Sequence, residues 1–151
     1  MTHIDATAHA DPTVRMYDNT RIEDNAEVTG RVRMFGHARI SGQARIGGLV
    51  TISGYSHITG TTVLNGQEQI HADGYITSND DIFTSQPEGD QHVWTAHRTL
   101  NGGWTVHAGC VWHVTTDTTW TPENTTPKRL RPARQAHYLW VQQQCALRNA
   151  S

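Results

Sequence analysis

The residues best suited to chemistry in this 151-residue chain crowd between positions 92 and 113, where tryptophan, arginine and histidine are interleaved with small and β-branched residues. Trp94, Arg98, Trp104, His107, Trp112 and His113 combine planar faces for stacking with donors for phosphate or carboxylate. A ligand pocket or a partner interface uses that mixture. The same tryptophans would also serve to cap a neighbouring core and fill a small one of their own. His92 and His97 are five apart, and His107 and His113 six apart. Catalytic zinc needs three neutral imidazoles and an open fourth position. Among ten histidines some spacing always looks suitable, so no metal and no cofactor is expected. Cys110 and Cys145 are the only cysteines; they lack metal-ligand spacing and read as reduced, mostly buried thiols. Lys128, Arg129, Arg131 and Arg134 form a basic run into a helix start, where positive charge opposes the macrodipole. Such a run is a solvated flank, or a contact for a phosphate-bearing ligand or acidic partner.

The frame that must position these groups is a column of aliphatic residues at every sixth place. It runs Met16, Ile22, Val28, Met34, Ile40, Ile46, Ile52, Ile58, Leu64, Ile70, Ile76 and Ile82. A second column of small or β-branched residues lies two positions ahead, from Val14 through Ala38 and Ala44 to Thr62. Glycine recurs two positions after the aliphatic from Gly30 to Gly66, with Asp18-Asn19 and Asp24-Asn25 at the two earlier corners. Asp and Asn tolerate left-handed backbone best after glycine. Residues two apart on a strand face the same way, so Ala38 and Ile40 share an interior and Arg39 faces out. A repeat of a short strand plus a corner belongs to a solenoid.

The hexads resemble those of the trimeric left-handed β-helix proteins, with an aliphatic residue followed four places later by a small one, as in Ile40-Ser-Gly-Gln-Ala44-Arg. The resemblance implies a left-handed parallel β-helix in which three hexads complete one triangular coil, residues eighteen apart stack, and three chains form a homotrimer. Met16 to Ile82 then gives about four coils and a prism about 19 Å tall. Residues 1–13 extend the register backwards through Ile4 and Ala10. Beyond Leu64 the repeat decays, with Glu68 and Asp80 at small-residue positions and Gly74 leaving one empty; the solenoid ends there and its open edge needs a cover.

The β-helix is therefore assigned to residues 1–83 and a C-terminal part to 84–151. Residues 84–91 read as a linker. Asn101-Gly102 between two β-rich runs signals a β-hairpin. A two-residue loop there would place Trp104, Val106, Ala108 and Cys110 on one face with Val93, Thr95 and His97, and Trp94, Arg98 and His107 on the other. A loop one residue longer would invert part of that assignment. Residues 115–127 read as a connector, and Ala133 to Asn149 as an α-helix whose broad apolar face, with Trp140, Tyr138, Val141 and Cys145, is expected on the flank of the β-helix, its own or a neighbour's.

This tail is similar to that of phage and prophage hexapeptide proteins: a strand ending in Arg98-Thr99, a Gly turn, a strand closing in Gly109-Cys110, and a final helix. The chain departs from their pattern after Cys110. Many hexapeptide proteins are acyltransferases with a histidine as general base between subunits. Here His37, His57 and His71 occupy three different hexad positions, and no long loop interrupts the clean coils. The γ-class carbonic anhydrases share the fold, but their zinc ligands lie on the coils and not in a tail.

Net charge near zero argues against a general nucleic-acid or polyanion binder and leaves room for a local patch. No signal peptide and no membrane span is legible. The reading is a non-catalytic phage-type trimeric binding or assembly protein, cytoplasmic or virion-associated, with a protein partner or a small phosphate-bearing ligand at the subunit boundary. The alternatives are a sponge for a nucleotide-like signal, and an enzyme of the acyltransferase or γ-carbonic-anhydrase kind.

Overall fold

The computed structural model describes residues 1–108, 111–114 and 128–149, with the backbone alone for 111–113. The first coil holds β1 (His3–Ile4), β2 (His9–Ala10) and β3 (Arg15–Met16), one on each side of a prism. The second holds β4 (Arg21–Ile22), β5 (Glu27–Val28) and β6 (Arg33–Met34). The third holds β7 (Arg39–Ile40), β8 (Arg45–Ile46) and β9 (Thr51–Ile52). The fourth holds β10 (His57–Ile58), β11 (Val63–Leu64) and β12 (Gln69–Ile70), and β13 (Tyr75–Ile76) begins a fifth. The three sides are the parallel sheets β1-β4-β7-β10-β13, β2-β5-β8-β11 and β3-β6-β9-β12. Pairs such as Ile22↔Ile40 and Ile40↔Ile58 fix the eighteen-residue coil, and the register does begin near residue 3.

The aliphatic column is the core. Ile22, Ile40, Ile58 and Ile76 on one side, and Met34, Ile52 and Ile70 on another, are completely buried. Each such side chain contributes roughly 1.5–3 kcal/mol of burial. The corners obey the expected backbone chemistry, with φ near +57° at Asp18 and +58° at Asp24. Their carboxylates also accept the corner amides one coil up, Gly36 N to Asp18 (3.0 Å) and Gly42 N to Asp24 (2.9 Å). Ala72 holds a left-handed corner at φ +57° without glycine's freedom, where the corner column passes beyond Gly66.

The C-terminal part is a four-stranded antiparallel sheet plus a helix, which the hairpin signal revealed only in part. Its strands, in order, are β14 (Ile82–Ser85), β15 (Trp94–Arg98), β16 (Trp104–His107) and β17 (Val111–His113). Thr84 and Ser85, read as linker, are paired with Thr95 and Trp94. The hairpin loop is one residue longer than two. Thr99 N donates to Gly103 O and Gly102 N to Thr99 O (both 3.0 Å), with Gly102 at φ +86°. Register is thereby Thr95↔His107, Ala96↔Val106, His97↔Thr105 and Arg98↔Trp104. The expected faces are corrected: Trp94, Ala96, Arg98, Trp104 and Val106 share one, and Thr95, His97, Thr105 and His107 the other, because a one-residue slip turns every side chain over.

The helix α1 (Arg131–Asn149) lies on the first of these faces and not on the flank of the prism. Tyr138, Val141 and Cys145 pack with Trp94, Ala96, Trp104 and Val106 into a second core. The other face closes the end of the prism. Gln69 N donates to Thr95 Oγ1 (3.1 Å), Leu100 N to Asp73 O (2.9 Å), and Gly74 bridges Thr99. The polar decay of the last hexads is thus where the cap attaches. A Cβ at Gly74 would stand 2.6 Å from Ile70 Cγ2 and 3.1 Å from the His97 ring, so prism core and cap together leave no room for a side chain there. The architecture is the left-handed hexapeptide-type parallel solenoid with its C-terminal hairpin and helix. Cys110 and the connector 115–127 lie outside the described residues.

Candidate functional site

The sheet divides the six residues singled out between 92 and 113. Trp94 and Trp104 are 0% and 3% exposed in the second core. Arg98 lies over the Trp104 ring (4.6 Å) and approaches Asp81 (3.4 Å). Asn149 at the end of α1 accepts from Trp104 Nε1 (3.0 Å), so Arg98 and Trp104 together pin the helix end. His107 is on the opposite face, its ring 4.6 Å from that of His71. The side chains of Trp112 and His113 lie outside the described residues.

The start of the helix is clamped as well. Arg134 Nε meets the buried Asp90 carboxylate at 2.5 Å, and Ser85 Oγ contacts His137 Nε2 at 2.7 Å. Burial pushes Asp90 toward its neutral form, but the Arg134 hydrogen bond and the His92 amide outweigh it and hold the carboxyl below its usual range. Arg134 is accordingly committed to structure, which accounts for one charge of the basic run.

Histidines 71, 97 and 107 meet where prism and cap join. Burial is the main cause that lowers all three, with His97 and His107 brought down to about 4. His71 Nδ1 bonds Ser53 Oγ, and its buried Nε2 makes no hydrogen bond. Among the described residues no group of three or more His, Cys, Asp or Glu is arranged to hold a metal ion. The three imidazoles pack and hydrogen-bond at this joint.

An open concavity of about 350 Å³ forms where the hairpin tip reaches the prism edge, lined by His37, Arg39, Tyr55, His57, Asp73, Gly74, Tyr75 and Leu100. Outward positions on β7, β10 and β13 supply Arg39, His57 and Tyr75, and the corner column supplies His37 and Tyr55, whose rings stack at 4.7 Å. Sequence spacing contained the prism half of this site, since these positions are eighteen apart. Leu100 reaches it only through the hairpin.

His57 is tied into a hydroxyl network on the prism edge. Its Nε2 is 2.6 Å from Ser41 Oγ, which also shares a hydrogen bond with Thr59 Oγ1 at 2.9 Å. Ser41 thus bridges the His57 ring and the Thr59 hydroxyl one coil up. Burial and then the Arg39 charge lower the His57 pKa, with Glu23 and Asp24 opposing.

Among the described residues no helix is long and apolar enough to cross a membrane. Comparison with known proteins returned no matching family model, no similar curated protein and no similar solved structure.

Proposed function

We propose that this chain is a non-catalytic binding and assembly protein, a homotrimer of the kind encoded by phages and prophages, whose protein partner docks where the hairpin tip meets the prism. One observation carries the reading: Tyr55 and Leu100, 74% and 71% exposed, line a single groove with Arg39 and His57. Scattered exposed apolar side chains are ordinary, but an aromatic ring and a leucine beside arginine and histidine have the composition of an interface anchor. With Trp94 and Trp104 taken into a core, the segment after residue 83 contributes through Leu100 instead. Flat prism sides pack readily about a threefold axis.

Light scattering on the full chain should give the mass of three 16.8 kDa chains. Tyr55→Ala and Leu100→Asp should then release whatever protein co-purifies with the native particle, leaving particle mass and melting temperature unchanged. A monomer at micromolar concentration, or turnover of an acyl-CoA donor, would sink this reading.

A further inference from the structure

We propose that the third side of the prism, at Arg15, Arg31 and Arg33, binds a small molecule carrying two or more phosphate groups. Arg15 on β3 and Arg33 on β6 are direct register partners, so their side chains leave the sheet one strand spacing apart, about 4.8 Å. Like charges directly opposite each other destabilise a sheet. Arg31 adds a third cation from the corner before β6. Among the described residues none of the three makes an ion pair, while Arg15 Nη1 is held by the Pro12 carbonyl (3.2 Å).

The first side also sets two arginines in register, Arg21 and Arg39, but both other sides place a carboxylate against an arginine. On the second, Arg45 stands in register with Glu27 at 3.8 Å, and on the first Arg39 bonds Glu23 at 2.6 Å. The third side thus gathers three arginines without an ion pair among the described residues, in a protein whose net charge is −2. It lines a groove of about 550 Å³ that has no acidic side chain in its wall. That volume is in the range of small-molecule sites.

Guanidinium groups bind phosphate oxygens through paired N–H donors, and two of them stacked in register suit neighbouring phosphates. Above them the same outward column continues as Thr51 and Gln69, neutral hydrogen-bonding groups, beside the half-exposed Leu49. A cluster of three cations fits a compact anion better than a nucleic-acid backbone, which draws on a longer run of phosphate contacts. The site lies on a different side of the prism from the Tyr55–Leu100 groove, so either can fail alone.

The test is calorimetric titration of the full chain at low ionic strength with inorganic tripolyphosphate and with ATP, the first supplying phosphate groups alone and the second a nucleoside as well. Saturable binding of either is expected, weakening with added salt and falling at least tenfold in Arg15→Gln/Arg33→Gln and in Arg31→Gln. Arg45→Gln, on the second side, should bind as the parent does. Absence of saturable binding to both ligands overturns the proposal, as does an equal loss in Arg45→Gln. A change of particle mass in the Arg15 and Arg33 variant also overturns it, because the side would then be an interface between copies.

Discussion

The backbone amide of His71 donates to Nε2 of His97 across 3.4 Å, so the last full coil of the prism is joined to its cap through an imidazole that must be neutral. The other ring nitrogen fixes the tautomer, since Nδ1–H donates to the Arg98 carbonyl at 3.0 Å. The ring is wholly buried, with His71 and Asp73 from the prism and His107 from the adjacent strand around it. Protonation would turn the Nε2 acceptor into a donor facing a donor.

That joint makes stability acid-sensitive well above the carboxylate range. The His97 pKa is about 4 in the folded protein against an ordinary 6.5, so the unfolded chain takes up the proton first as pH falls. The contribution is whole above about pH 6.5 and drains away down to about pH 4. For His97 alone this amounts to about 2 kcal/mol lost between pH 7.5 and 5. Urea unfolding at the two pH values measures it, and His97→Gln should flatten the difference while lowering stability at both.

Corner glycines differ sharply in what they tolerate. Gly60 has φ +66°, and a Cβ there would lie 2.0 Å from the Thr77 carbonyl oxygen one coil up. Gly60→Ala should cost about 3 kcal/mol or more from left-handed backbone strain plus displacement of that coil. Gly102, at φ +86° with nothing within 4 Å, should accept asparagine with a loss of under about 1 kcal/mol. Thermal melts of the pair separate contact from conformation.

Ala72 is a corner where the natural residue is the strained one. At φ +57° it bears the left-handed cost that glycine escapes. Ala72→Gly should stabilise by about 1 kcal/mol, seen as a rise of a few degrees in Tm.

The helix clamp should be as costly to break as other buried pairs. Asp90 and Arg134 side chains are 1% and 12% exposed. Arg134→Met should cost about 3–5 kcal/mol because it strands a buried carboxylate, and Asp90→Leu with Arg134→Met should recover part of that. Asp90 titrates below its usual value, so its share of stability persists above pH 4 and is lost only as pH falls through the lowered pKa, after the histidine joint has weakened. Chemical unfolding of the single and double variants gives the coupling.

The sixfold column from Met16 to Ile82, the outward Arg39 and the left-handed corners at Asp18 and Asp24 were all legible in the residue order. Each depends on a period or a backbone preference that acts within a few residues. The groove shared by Tyr55 and Leu100 was not legible, and neither was the helix resting on the sheet. Which face of the hairpin holds Trp94 and Trp104 turned on a single loop residue, because strand side chains alternate and one step reverses them all. Sequence by itself determined how the chain coils, since a short repeat contains its own geometry. Only the tertiary structure decided what covers the end of the coil and which polar groups meet there, because those contacts join residues far apart whose facing no local pattern encodes.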